Sequence, residues 1–140
     1  MGLNVSHGCF AGAYSAFNRL RKHVASACGG SFPPHDHEFV SSFLKEHDGA
    51  PASDHWYFEE NEVPEGVRAG MTLFLGHSDC DGTLSPGEAR LVADFLGWAA
   101  NRIPENTDGF GHLGDVKTAV ERFARGCAQA AEANETVVFE

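Results

Sequence analysis

The chain has 140 residues and a mass of 15.1 kDa, which is the size of one compact domain. Acidic residues outnumber basic residues by 20 to 10, giving a formal net charge of -10. This balance argues against a nucleic-acid-binding surface and against a polybasic membrane anchor, because both need clustered Lys and Arg. No apolar run approaches the roughly 20 residues of a membrane span, and the N-terminus lacks a signal-peptide pattern, so we expect a cytoplasmic protein.

The N-terminal half predicts one strand followed by two helices. Residues 3–6 predict a short strand that ends in a turn at His7. Apolar side chains at steps of three and four residues then predict a long amphipathic helix over residues 9–28. A shorter helix is expected at residues 36–47, and an extended segment at residues 55–59.

The C-terminal half predicts two strands and two helices. The continuous apolar run at residues 71–75 is typical of a buried strand. Residues 85–101 predict a helix, because they open with a Ser-Pro-Gly-Glu capping box that has proline at the first helical position. A last helix is expected at residues 112–133 and a last strand at residues 136–139. Together the elements predict a single α+β domain (or a small α/β domain) over residues 1–140, with about four helices around a small mixed sheet.

The cysteines indicate free thiols rather than a disulfide framework. The chain has four, at widely separated positions and without a Cys-x-x-Cys pair. They are Cys9, Cys28, Cys80 and Cys127. A chain of this length can fold without covalent staples, and the spacing does not fit a zinc knuckle, so we expect buried free cysteines.

Residues 77–88 match the pattern of an EF-hand calcium loop. Acidic residues stand at positions 3, 5 and 12 of the loop, and Gly82 stands at position 6, where a sharp turn is needed. The predicted ligands of one divalent cation, Ca²⁺ or Mg²⁺, are Asp79, Asp81 and Glu88. Two departures weaken the match: position 1 is His77, a poor calcium ligand, and the preceding segment is expected to be a strand. The sequence also contains no second loop with which this one could pair.

The same residues allow two other interpretations. The Asp-Cys-Asp-Gly-Thr-Leu segment resembles the haloacid-dehalogenase phosphatases, which implies that Asp79 is a nucleophile and Asp81 an acid/base beside Mg²⁺. That resemblance covers only a short stretch, and the chain lacks room for the large doubly wound sheet of that family. The simpler alternative is a turn in which both carboxylates cap backbone N–H groups.

The first predicted helix carries an arginine on its apolar face. At about 100° per residue, Arg21 falls within the stripe formed by Phe10, Phe17 and Val24. A buried guanidinium needs acceptors, so Arg21 either makes an internal ion pair, extends to the surface, or lines a pocket for an anionic group. At the start of the helix, two further side chains would add a base and a stacking surface. The predicted ligand-binding residues are His7, Tyr14, Arg21, His77, Asp79 and Asp81.

Several segments together carry a family resemblance. They are Val-Ser-His-Gly-Cys-Phe-Ala-Gly-Ala-Tyr-Ser-Ala-Phe-Asn-Arg-Leu-Arg at residues 5–21, His-Ser-Asp-Cys-Asp-Gly at 77–82, Phe-Ala-Arg-Gly-Cys at 123–127 and Asn-Glu-Thr-Val-Val-Phe at 134–139. The chain resembles a family of small proteins from bacteriophage and actinobacterial genomes, with Leu20 at a position where that family suggests Trp. The resemblance implies a phage context, and hence the host cytoplasm, but no activity.

Three functions follow as hypotheses. The first is a small-molecule-binding protein that holds a polar or anionic, nucleotide-like ligand between the first helix and the 77–81 loop, which in a phage would sequester a host signalling molecule. The second is a metal-dependent hydrolase in which Asp79, Asp81 and His77 bind the metal and His7 acts as the base. The third is a structural protein with a solitary calcium-like loop. We expect neither nucleic-acid nor membrane partners, and a homo-oligomer is left open.

Overall fold

A computed structural model describes residues 2–28, 63–77, 81–108 and 114–140. The helix expected at 36–47 and the extended segment expected at 55–59 lie outside these ranges. In chain order, the elements are β1 (Gly2–Val5), β2 (Phe10–Ala13), α1 (Tyr14–Ala27), a 3₁₀ helix (Glu65–Val67), α2 (Arg68–Leu75), β3 (Gly82–Leu84), α3 (Pro86–Ala100), α4 (Val116–Glu132) and β4 (Val137–Phe139).

The sheet has four strands in the order β2-β1-β4-β3. Every described pair is antiparallel, with Val5 opposite Phe139 and Thr83 opposite Val138. The predicted α+β class is confirmed, with the difference that the sheet is antiparallel and not mixed. The C-terminal strand β4 lies between β1 and β3, so it connects the N-terminal hairpin to the middle of the chain.

The first helix begins later than the sequence indicates. The predicted turn at His7 is confirmed: His7 and Gly8 have φ of 62° and 71°, and the N–H of Cys9 donates to the carbonyl of Ser6 at 3.2 Å. Positive φ at both central residues is the pattern of a type I′ hairpin turn. The turn returns the chain alongside β1, so Phe10–Ala13 forms β2 and the helix starts at Tyr14. The expectation of a helix from residue 9 is therefore wrong for the first five residues.

The apolar run at residues 71–75 is helical, and the expectation of a strand there is wrong. It forms the last five residues of α2, whose buried positions (Gly70, Met71, Phe74 and Leu75) follow a helical spacing. A run of five residues is too short for its pattern to distinguish a strand from a helix, and in the structure Thr72 is exposed. The described ranges thus contain four α-helices: three correspond to predicted helices, and the fourth replaces a predicted strand.

The remaining elements agree more closely with the sequence. Helix α3 begins with the predicted capping box, and β4 covers three of the four predicted residues. Helix α4 begins at Val116, where the carboxylate of Asp115 accepts the N–H of Thr118 at 3.0 Å. Strand β3 was not predicted, because its three residues form a strand only through pairing with β4.

A cluster of phenylalanine rings lies between the sheet and the helices. Phe17 of α1 is at its centre, with ring centroids 5.9 Å from Phe74, 6.1 Å from Phe123 and 6.2 Å from Phe139. These rings come from α1, α2, α4 and β4, and all four are buried. Aromatic pairs at such separations add to the free energy of burial, so one core holds the described elements together.

We expect Gly70→Ala to destabilise the fold and Gly97→Ala to stabilise it. A Cβ at Gly70 would lie 2.1 Å from the carbonyl oxygen of Leu91, so α2 must move away from α3. This overpacking should lower the free energy of unfolding by about 2 kcal/mol or more. Gly97 is also helical, but a Cβ there meets nothing within 4 Å, so alanine should raise stability by roughly 0.5–1 kcal/mol. Urea unfolding of both variants measures the difference, and equal effects would contradict the close packing of α2 on α3.

Candidate functional site

The candidate loop at residues 77–88 lies between two helices. Helix α2 ends at Leu75 and α3 begins at Pro86, so the expectation that a strand precedes the loop is wrong. The helix that precedes the loop strengthens the calcium-loop alignment, because an EF-hand loop has a helix on each side. Residues 78–80 lie outside the described part of the chain, and Asp79 is one of them.

The second half of the loop has the backbone that the alignment requires. Gly82, at position 6, has a φ of +111°, which a residue with a side chain rarely adopts. The next residues form β3, where Thr83 pairs with Val138 and Leu84 with Val137. The sequence contains no second loop, but β4 supplies the pairing partner. The turn and the strand that follow position 6 are therefore both present.

The end of the loop is closed by the capping box of α3. The backbone N–H of Ser85 donates to Oε1 of Glu88 at 2.8 Å, and the N–H of Glu88 donates to Oγ of Ser85 at 3.2 Å. The carboxylate of Glu88, at position 12, is thereby held at the N-terminus of α3. Because a carboxylate has two oxygens with several lone pairs, one hydrogen bond does not exhaust its capacity to bind a cation.

His77 closes the loop from the other side. Its Nε2–H donates to the carbonyl oxygen of Thr83 at 3.1 Å, because a carbonyl can only accept. Its ring stacks on Phe139 with centroids 3.8 Å apart and planes 23° apart. In a calcium loop the residue at position 1 and the carbonyl at position 7 both face the cation. Here the imidazole of position 1 binds the carbonyl of position 7 directly.

Arg21 supports the beginning of the loop from within the core. It is 5% exposed, and its Nη1 donates to the carbonyls of Leu75 at 3.2 Å and His77 at 2.5 Å. Its Nη2 donates to Oδ1 of Asn18, and its Cζ lies 4.6 Å from the centroid of the Phe17 ring. The positive charge thus meets the C-terminal end of α2, where the helix dipole is negative. These hydrogen bonds reach backbone carbonyls of the protein, which favours a positioning role for Arg21.

The structure does not bring all the predicted ligand-binding residues together. The Nε2 of His7 lies 3.3 Å from Oε1 of Glu135, just before β4, and its Nδ1 lies 2.9 Å from Oγ of Ser6. His77 instead stacks on the last residue of β4, so the two histidines lie at opposite ends of that strand. Tyr14 begins α1, about 10 Å of helix axis before Arg21.

Of the predicted metal ligands, Asp81 and Glu88 lie in the described ranges. Asp81 is exposed and directly precedes β3, while Glu88 is half-buried in the first turn of α3. Among residues 2–28, 63–77, 81–108 and 114–140, no group of three His, Cys, Asp or Glu side chains is placed to hold a metal. The third predicted metal ligand, Asp79, lies among residues 78–80, outside the described ranges.

A pair of thiols forms a second arrangement, which sequence reasoning missed. Cys9, Cys28 and Cys127 are buried thiols, as expected. The Sγ atoms of Cys9 and Cys127 lie 3.9 Å apart, although the residues are 118 positions apart in the chain. The hydrogen bond with Cys9, together with burial, raises the pKa of the Cys127 thiol. The hairpin turn before β2 brings Cys9 to α4. The residues around either cysteine therefore give no basis for predicting the contact.

We expect Arg21→Met to destabilise the protein far more than Lys22→Met. Methionine fills part of the buried volume but leaves the Leu75 and His77 carbonyls without this donor, at a cost of about 1–3 kcal/mol in unfolding free energy. Lys22 carries the same charge on an exposed face, so its replacement should change stability by less than about 0.5 kcal/mol. Chemical denaturation measures both; an Arg21→Met variant as stable as the original would contradict the positioning role.

In comparisons with family models, with curated proteins and with solved structures, nothing matched this chain. The resemblance to small phage and actinobacterial proteins therefore stays a prediction, as do the expected partners. No helix within the described ranges is long and apolar enough to cross a membrane. Function must accordingly be inferred from the geometry of the chain's own residues.

Proposed function

We propose that the protein is a ligand-binding protein whose ligand is a divalent cation of the calcium class, held by the 77–88 loop. The observation that carries this proposal is the backbone of the loop between α2 and α3. Gly82 has a positive φ at position 6, and β3 follows it. The capping box then places Glu88 at position 12. These features belong together in calcium loops, and each serves to direct oxygen atoms toward one point.

The donor set favours calcium over magnesium. The carboxylates of Asp79, Asp81 and Glu88 and the carbonyl of Thr83 are hard oxygen donors on one short loop. Calcium accepts six to eight oxygens in flexible geometry, whereas magnesium needs a nearly ideal octahedron and retains several waters. A loop that mixes carboxylates with a backbone carbonyl therefore suits calcium. Binding would tie α2, β3 and α3 together, which also fits the structural role considered for this loop.

His77 makes the expected affinity weak. Its imidazole supplies no carboxylate at position 1, and its Nε2–H already occupies the carbonyl of Thr83. A carbonyl oxygen has two lone pairs, so a cation can share it with that hydrogen bond, but the positive end of the N–H dipole lowers its attraction for the cation. Because affinity in such loops depends on the number of charged ligands, we expect a dissociation constant of about 10⁻⁴ to 10⁻³ M.

The two other hypotheses receive less support from the geometry. For a nucleotide-like ligand, the hydrogen bonds of Arg21 go to backbone carbonyls of the protein and not into a pocket. For the hydrolase, the proposed base His7 is near Glu135, at the far end of β4 from His77. Both therefore stay predictions, and cation binding is the function that we put forward.

The first test is calcium binding with and without the loop carboxylates. Native mass spectrometry after chelation and calcium titration should show one bound ion, and titration calorimetry should give the affinity. The double variant Asp79→Asn with Asp81→Asn should lose that ion. A control with the same change in charge, Asp94→Asn with Glu105→Gln, alters exposed residues outside the loop and should bind as the original does. Equal binding by both double variants would mean that the loop is not the site.

The second test is a gain of affinity in His77→Asp. Aspartate restores a carboxylate at position 1 and frees the Thr83 carbonyl, so calcium affinity should rise by about tenfold or more. Without calcium the variant should melt at a lower temperature, because the stacking on Phe139 is lost, and calcium should restore it.

Glu88→Gln is the matched opposite change. Glutamine can keep the capping box, so the melting temperature in chelator should stay the same while calcium affinity falls.

If His77→Asp bound calcium no better than the original, the assignment of His77 to position 1 would be wrong.

A further inference from the structure

The two buried thiols lie where the hairpin turn meets α4. Cys9 is 1% exposed and Cys127 is fully buried, and their Sγ atoms are 3.9 Å apart. Gly126 makes this approach possible, since a Cβ there would lie 2.5 Å from Sγ of Cys9 and 2.7 Å from the carbonyl of His7. A disulfide needs a sulfur separation of about 2 Å, so a modest movement would join the pair.

The two thiols differ in access. A cleft of about 60 Å³ between β2, the start of α1 and α4 is lined by Cys9, Gly12, Ala16 and Arg122, among others. Cys127 is not among the lining residues. A volume of this size admits a few water-sized molecules but excludes a peptide. A small polar molecule in the cleft therefore borders Cys9 and not Cys127.

The surroundings of Cys127 keep its thiol protonated. The hydrogen bond with Cys9 and the burial of the side chain keep the proton on Cys127 by raising its pKa. Arg122 lines the cleft, and α1 begins there without a side-chain cap or an acidic residue in its first turn. Both features favour an anion in the cleft. The pair is thus asymmetric, because Cys9 lines this small cleft and Cys127 does not.

From this geometry we infer that Cys9 and Cys127 form a dithiol that reacts with small hydroperoxides. The Cys9 thiolate attacks one oxygen of hydrogen peroxide, the O–O bond breaks, and hydroxide leaves and takes up a proton to become water, giving a sulfenic acid on Cys9. The sulfur of Cys127 then attacks the sulfur of Cys9, and the hydroxyl leaves with the proton of Cys127 as a second water. Two thiols are oxidised to one disulfide, and one peroxide is reduced to two waters.

The test uses hydrogen peroxide on the full, reduced and folded protein. After a short exposure, alkylation under denaturing conditions and peptide mapping should give the linked Cys9–Cys127 peptide as the main product. Cys127→Ser should stop at a sulfenic acid on Cys9 that a dimedone probe captures. Cys9→Ser should leave Cys127 without a probe adduct. Cys28→Ser is the matched control, because Cys28 is equally buried but does not line the cleft, and it should still form the linked peptide.

Oxidised glutathione serves as a larger oxidant, which tests whether the thiols react through the cleft or through general exposure to solvent. The tripeptide disulfide is too large for the cleft, so it should form the linked peptide much more slowly than peroxide does. Equal rates with both oxidants would overturn the proposal, and so would a link that forms only after urea is added. If a serine variant failed to fold, mapping of the original protein would still decide, since peroxide labelling spread equally over Cys9 and Cys28 would contradict a dithiol at this site.

Discussion

The buried guanidinium of Arg21 is the interaction on which the candidate loop depends. A positive charge in the core is stable only when acceptors surround it, and here the acceptors are the carbonyls of Leu75 and His77 and the amide of Asn18. The two carbonyls lie at the C-terminal end of α2 and just beyond it. Arg21 therefore joins α1 to the C-terminal end of α2 and to the first residue of the loop. The same side chain packs over Phe17, the centre of the aromatic cluster, so the loop is connected directly to the core.

From that starting point the loop is held at three places. Arg21 holds its first residue, the imidazole of His77 reaches across to Thr83, and the Ser85–Glu88 box joins it to α3. Strand β4 adds a fourth restraint by pairing with β3. Within residues 81–88, the hydrogen bonds hold the carbonyl of Thr83 and the carboxylate of Glu88 in place without a ligand. A cation that binds there would meet these two groups already positioned, which lowers the entropic cost of binding.

The features that could be predicted from sequence are those with local causes. The capping box of α3 and the turn at His7 each depend on a few adjacent residues, and both are present. The helical wheel also placed Arg21 within the apolar stripe of α1 and left its burial open; the structure shows that the side chain is buried. Its acceptors could not be predicted, since Leu75 is 54 positions away.

The errors have physical causes of the same kind. Four of the five residues at 71–75 are apolar, and so short a run fits a strand or a helix equally well. Residues 10–13 continue the apolar spacing of α1, although the hairpin turn makes them a strand. The contact between Cys9 and Cys127 depends on the whole fold, and nothing in the sequence around either residue indicates it.

The position of β4 has a consequence for how the protein is made. Residues 137–139 pair with β3, and Phe139 lies opposite Val5, so the central strand of the sheet is synthesised after both of its neighbours. Until those residues leave the ribosome, the N-terminal hairpin and the 77–88 loop expose backbone edges that have no partner yet. Pairing between residues so far apart in the chain slows folding. During that interval, the emerging chain depends on its local helices to stay compact, and a chaperone that covers strand edges would find two of them.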